Sequence, residues 1–307
     1  MPNLILSDPA SKVAALAEHY EQVLSSPTPS PYPNHIILPL ALALNTELSS
    51  SLNDPFTLYE LETFLTYLKN TSPGLDRVHN KHLSHLPPDY KLWLLRLFNK
   101  SFESGTVPYE WKTALIIPIP KPNKALTSTN SYRPISLLSC VAKLMEQLIN
   151  KRLQFFLEQN NSFRTSQGGF RPRLAAIDQV ARLDTAIRNS LRTKSVLAVV
   201  FCDFSNAFDT VWHNGLLYKL SRCGIRGRML RWLRDYLSDR SFKVFFEGEY
   251  STLRKIKAGV PQGAILSPLL FNVVMSDIPS VPGVHCTEYA DDVAFFSSDA
   301  DIAQATS

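Results

Sequence analysis

Three aspartates are the residues of this sequence best suited to chemistry. Asp291 and Asp292 stand side by side between two short apolar runs, Cys286–Tyr289 and Val293–Phe296, the pattern of a tight β-hairpin with acids at its tip. Asp203 closes the continuous apolar run Val196–Cys202, which reads as a buried strand ending in a carboxylate. Adjacent carboxylates repel, and setting them beside apolar strands is costly unless cations compensate. If the Asp203 strand lies beside the hairpin, the three carboxylates converge, and hard oxygen ligands of that kind suit Mg²⁺ or Mn²⁺. Taken alone, an Asp-Asp pair is also what a solvated turn looks like.

Such acids need a scaffold. With 307 residues, 45% of them hydrophobic, the chain can bury a core as one large domain or two lobes. Its 11 glycines and 21 prolines exclude collagen-like and Gly-rich low-complexity chains. The longest apolar run, Ile36–Leu44, is interrupted by Pro39 and falls short of the roughly 18 residues a membrane helix needs, so no membrane association is expected. The N-terminus lacks a basic region ahead of an apolar stretch, as a secretory signal requires. Cys140, Cys202, Cys223 and Cys286 are too far apart for a zinc knuckle or redox motif and read as reduced thiols of a cytosolic or nuclear protein.

Helical spacing predicts helices over residues 11–24, Leu58–Asn70, Lys91–Glu103, Ser139–Leu157 and Ala175–Arg192. The Pro/Ser-rich stretch Ser25–Asn34 reads as a linker. Ala114–Pro120 is β-rich but contains two prolines, which confines it to an edge strand or an extended segment. Phe242–Phe246 is a further strand.

Charge is unevenly placed although the net value is only +5. Lys12 is the one basic group among residues 1–60, residues 141–194 carry ten Lys or Arg against four acids, and the arginines 222, 226, 228, 231 and 234 crowd a second segment. From Ala258 onward there are six acids and no Lys or Arg. Basic segments flanking an acidic, base-free one suggest a polyanion held near a cation site, and equally describe solvated helix faces.

The segments YADD (Tyr289–Asp292), FCDFSNAFDTVWH (Phe201–His213) and AGVPQGAILSPLLFN (Ala258–Asn272) resemble, in order and spacing, three signature blocks of reverse transcriptases. SPGLDRV (Ser72–Val78), WKTALIIPIPKP (Trp111–Pro122), NSYRPISLLSCVAKLMEQLINKRL (Asn130–Leu153) and QGGFRP (Gln167–Pro172) resemble the preceding blocks. The resemblance covers about residues 55–307 and is nearest to non-LTR, LINE-like retrotransposons; PQG followed by LSPLLFN and a later DIP is unlike group II intron maturases or retroviral enzymes.

The resemblance implies RNA-directed DNA synthesis on an RNA template, extending a DNA primer with dNTPs by two-metal nucleotidyl transfer. Asp203 and Asp291 would bind two Mg²⁺ ions, with Asp292 an auxiliary ligand and Mn²⁺ a substitute. Lys121 and Arg133 would hold the triphosphate, Phe208 would lie under the incoming sugar and exclude a 2′-hydroxyl, and Gln262 with Gly259 and Gly263 would approach the nucleotide. Gly168, Gly169, Phe170 and Arg171 would form a template-contacting loop, and the Arg222–Arg234 cluster would touch phosphates; Asp209 reads as structural.

Arg173–Ala176 stand where the family has a small polar run, which weakens a helix cap. The implied fold is α+β, the fingers and palm of a right-hand polymerase with an antiparallel palm sheet, preceded by an N-terminal helical arm and linker over residues 1–54. The chain ends 15 residues past Asp292, so a missing thumb, and with it a fragment or decayed copy, is expected. A truncated, inactive nucleic-acid-binding relic is the alternative reading.

Overall fold

The computed structural model describes residues 8–25, 34–46 and 51–300. Most of the expected linker, residues 26–33, lies outside them. The described residues form two compact units, one drawn from Met1–Phe156 and Phe208–Ser267, the other from Leu157–Ala207 and Pro268–Ser307.

In chain order the elements are α1 (Pro9–Val23), α2 (Asn34–Asn45), α3 (Leu58–Thr66), α4 (Asn80–Ser84), α5 (Pro88–Ser104), α6 (Tyr109–Lys112), β1 (Thr113–Pro120), β2 (Tyr132–Leu137) and α7 (Cys140–Gln159). α8 (Ala176–Thr193) and β3 (Val196–Asp203) belong to the second unit. The chain then gives α9 (His213–Arg222), α10 (Gly227–Leu237), β4 (Arg240–Phe246), β5 (Glu249–Tyr250) and β6 (Arg254–Ile256) to the first. It ends with α11 (Ser267–Val274), β7 (His285–Tyr289) and β8 (Asp292–Asp299). Together they make a mixed α and β fold.

The first unit is built on a sheet ordered β2-β1-β4-β5, with β6 also on β4. Asp8 starts α1 by accepting the Ser11 N–H at 2.8 Å, and Pro9 supplies a preset first-turn φ. Val13, Leu16, Ala17, Tyr20 and Leu24 recur at intervals of three and four and are buried with Ala114, Ile116, Phe242 and Val244 of the sheet.

β1 is not an edge strand, contrary to expectation. Thr113–Ile116 pairs with β4 and Leu115–Pro120 with β2, so Leu115 and Ile116 lie between two strands, whereas Pro118 and Pro120 fall where β2 is the neighbour in the register. The prolines therefore leave the central ladder intact.

α2 forms through Pro39, which the sequence reading took as an interruption. Ile36, Leu40, Ala43 and Leu44 bury one face, and the helix packs on α9 and α10, so tertiary burial outweighs the hydrogen bond that Pro39 removes.

The second unit holds an antiparallel sheet ordered β3-β8-β7 with α8 packed on β3 and β7. β3 departs from the fully buried strand expected: Val200 and Phe201 are 60% and 74% exposed, because β3 is an edge strand of this sheet. At the start of α8 there is no side-chain cap on Ala175, as the Arg173–Ala176 run suggested; Asp178 instead reaches back to the Ala175 N–H at 2.7 Å.

Candidate active site

The carboxylates come together within the second unit. β3 and β8 pair so that Asp203 lies directly opposite Asp292, and β7 and β8 pair so that Tyr289 lies opposite Asp292 from the other side. Directly opposed residues of an antiparallel pair share a face with Cβ atoms roughly 5 Å apart, so the Asp203 and Asp292 side chains are neighbours. Ala290 and Asp291 make the two-residue turn between the strands. The residue in register with Asp203 is thus Asp292, while Asp291 stands at the tip.

Asp203 and Asp292 are exposed and Asp291 is half-buried. Among the described residues no three His, Cys, Asp or Glu side chains close into a ready-made metal cage. An exposed cross-strand pair of hard oxygen donors nevertheless fits Mg²⁺, which commonly takes one or two carboxylates and completes its shell with water and substrate phosphates.

The hairpin is held from beneath by the QGGF segment, where a template-contacting loop was expected. Gly168 and Gly169 are buried. A Cβ on Gly168 would lie 2.1 Å from Gln179 Nε2, and one on Gly169 would lie 2.2 Å from the Ala290 nitrogen. Arg171 forks onto Glu158 at 2.9 and 2.6 Å and donates to the Arg164 and Gln167 carbonyls. Its donors serve the chain itself. Phe170, 45% exposed, remains at the surface.

In the first unit the AGVPQG and FDTV blocks form one assembly. The N–H of Gly259 donates to Val211 O at 2.8 Å, that of Val260 to Phe208 O at 2.7 Å, and His213 Nε2 donates to Gly259 O at 2.7 Å. Asp209 is buried and accepts Gln262 Nε2 at 2.8 Å. Burial pushes its carboxyl up to about 6, against the pull of the Gln262 amide and the Lys121 ammonium. Asp209 is structural here, as expected.

Gln262, Gly259 and Gly263, assigned above to a nucleotide, make their close contacts within the protein. Gly259 has φ +87° and a Cβ there would meet Asp209 O at 2.5 Å; Gly263 has φ +111° and a Cβ would meet Ser136 O at 2.8 Å. Only glycine combines that backbone with that proximity. Lys121 and Arg133 lie at the loop end of the β1–β2 hairpin, Arg133 opposite Ile119 and the Lys121 N–H on Ser131 O at 2.7 Å.

The arginine cluster is divided. Arg231 donates to Leu44 O at the C-terminal end of α2 and Arg228 to Asn53 O, so these two cap carbonyls rather than stand free for phosphates. Arg222 and Arg234 are exposed.

Residues 119–306 match the family described as "Reverse transcriptase (RNA-dependent DNA polymerase)". The chain belongs to the reverse transcriptase family. It is 37% identical over 268 residues, 83% of its length, to "Probable RNA-directed DNA polymerase from transposon BS" of Drosophila melanogaster, covering 29% of that protein. It is 32% identical over 99% of its length to "RNA-directed DNA polymerase from mobile element jockey" of Drosophila funebris, covering 35% of it. With the type-1 element R2 polyprotein of Popillia japonica it shares 29% identity over 75% of the chain and 32% of that protein. The chain therefore spans about a third of the length of these relatives.

Two residues of this reverse transcriptase family member escape sequence reasoning. Glu146 on α7 is buried and its carboxylate accepts the N–H groups of Ile265 and Leu266 at 2.8 and 3.1 Å, fixing the loop after Gly263. Burial raises its pKa, with Arg240 opposing. Its signal was an acid lying between Met145 and Leu148 on the buried arc of the helix. His213, whose pKa burial pushes down, closes FDTVWH, and its position after Trp212 gave no distinguishing pattern.

Proposed function

We propose that this chain is the fingers and palm of an RNA-directed DNA polymerase of a non-LTR retrotransposon, extending a DNA primer on an RNA template. The observation that carries the reading is the register of β3 on β8, which sets Asp203 opposite Asp292 beside the Asp291 turn in a chain of this family.

Asp203, Asp292 and Asp291 would hold two Mg²⁺ ions. Bound there, the ions would supply Lewis-acid activation of a primer 3′-hydroxyl and charge stabilisation of the attacking and leaving oxygens. The protein's own work is placement: the sheet holds Asp203 and Asp292 at fixed separation, and their exposure leaves oxygen lone pairs free for cations and phosphates. Lys121 acts on the triphosphate as a compact point charge, and Arg133 as a planar fork matched to phosphate oxygens. Phe208 lies under the sugar, where its ring leaves no room for a 2′-hydroxyl. The second unit supplies the palm, and the β1–β2 hairpin of the first supplies the fingers.

The test is extension of oligo(dT) on poly(rA) with dTTP and Mg²⁺ by the purified chain and by Asp203→Asn. Extension by the parent and its loss in the variant, with unchanged melting temperature, is the expected result. Equal extension by both would overturn the assignment of the carboxylates.

A further inference from the structure

Buried beneath the carboxylate hairpin is one side chain that the reaction does not touch. Gln167 is 1% exposed. Its Oε1 accepts the N–H of Gly169 at 2.7 Å and of Ala290 at 3.0 Å, while its Nε2 donates to Ala290 O at 3.2 Å. Both backbone polar groups of Ala290 are thus satisfied by a single side chain. The amide orientation follows from chemistry, since the flipped form would aim an NH₂ at two N–H donors.

Ala290 needs such support. It is the first residue of the turn and has φ +58°, a left-handed conformation that a residue bearing a Cβ seldom adopts unaided. It immediately precedes Asp291 and Asp292, so its backbone sets where β8 begins and which carboxylate faces Asp203.

Gln167 is in turn fixed on every side. Its backbone forms a parallel bridge to Glu288, with Glu288 N–H on Ser166 O at 3.0 Å and Gly168 N–H on Glu288 O at 2.9 Å. Asn272, 1% exposed on α11, donates to Gly169 O at 2.8 Å. Arg164 pairs with the fully buried Glu288 at 2.8 Å. A support of this kind beneath a turn that carries carboxylates is what a metal site requires of its surroundings.

We infer that Gln167 is a positioning residue for the catalytic carboxylates: it clamps Ala290 and thereby sets the metal affinity of Asp291 and Asp292 against Asp203. The inference rests on the metal-holding role proposed above. It predicts that removing the clamp loosens the turn locally and weakens cation binding without unfolding the sheet.

Two measurements on the full chain test it, neither requiring turnover. Amide hydrogen exchange is followed at Ala290 and along β8, and Mn²⁺ affinity is read from the paramagnetic resonance of the free ion. For Gln167→Ala, the Ala290 amide should exchange at least about tenfold faster while the amides of residues 294–298 keep their protection. Mn²⁺ binding should weaken roughly 10-fold to 100-fold, the range usual for loss of a residue that orients metal ligands. Adding Ala290→Gly to Gln167→Ala should recover most of the affinity, because glycine adopts the turn conformation unaided, while exchange at position 290 stays fast.

Wild-type Mn²⁺ affinity in Gln167→Ala, with affinity lost in Asp203→Asn, would overturn the positioning role and leave the proposed function standing. Loss of protection throughout β8 in Gln167→Ala, unrepaired by Ala290→Gly, would make Gln167 a general support of the fold and would also overturn it. Equal Mn²⁺ binding by the parent and Asp203→Asn would instead remove the metal reading on which the inference stands.

Discussion

Replacing Asp209 by asparagine isolates one buried ionisation. The folded protein holds this carboxyl at about 6 where an unperturbed one lies at 3.8, because burial outweighs the Gln262 hydrogen bond and the Lys121 charge. Between those values the folded state binds more protons than the unfolded state, so stability falls as pH rises through the window. A shift of about two units at 1.36 kcal/mol each makes the loss about 3 kcal/mol between pH 4 and pH 7.5. Asparagine keeps an oxygen for Gln262 Nε2 and carries no charge, so that contribution should vanish. Urea unfolding of parent and Asp209→Asn at both pH values, compared as a difference, removes every other titrating group from the reckoning. The variant should match the parent within about 1 kcal/mol at pH 4 and exceed it by about 3 kcal/mol at pH 7.5. A difference independent of pH, or a variant less stable at pH 7.5, would show that Lys121 holds Asp209 as an anion and would refute the reasoning.

Three further outcomes are expected. Gly263→Ala places a Cβ 2.8 Å from Ser136 O at φ +111° and should lower stability by about 2 kcal/mol or more, read by denaturant midpoint. Glu146→Ala leaves the Ile265 and Leu266 N–H groups unpaired in a buried site beside Arg240 and should cost about 3 to 5 kcal/mol in the same measurement. Phe208→Ala should admit ribonucleotides, narrowing the preference for dNTPs by roughly 10-fold to 100-fold in single-nucleotide extension; unchanged discrimination would count against its place under the sugar.

Much of the local structure was legible because it rests on periodicity. The stripe Leu144, Met145, Leu148, Ile149 and Leu153 defines α7, and apolar runs broken by Ala290–Asp291 define the β7–β8 hairpin, so the neighbouring carboxylates could be anticipated. What stayed hidden depends on partners remote in the chain. Pro39 reads as a breaker until α9 and α10 bury the helix around it, and Pro118 reads as an edge marker until β4 proves to cover only the other half of β1. The apolar run of β3 suggested two covered faces, yet its register puts it at an edge, because hydrophobicity reports what a strand tolerates and not how many neighbours it has. The glycines of QGGF read as a template-contacting loop and that of PQG as a close approach to a nucleotide, because the sequence does not show that the atoms beside them belong to Gln179, Ala290 and Ser136 of the same chain.

The prolines of the β1–β2 hairpin decide what else can pair with it. Pro118 faces Pro134 across the ladder, and neither has an N–H to give. The Lys121 N–H bonds Ser131 O in the same register, so Pro118–Pro134 falls at a non-hydrogen-bonded pair and the outer half of the hairpin, bearing Lys121 and Arg133, keeps its β1–β2 bonds. Pro118 and Pro120 instead turn their donor-free nitrogens to the flank that β4 leaves uncovered beyond Ile116, so at those positions that flank offers no N–H on which a further strand could pair.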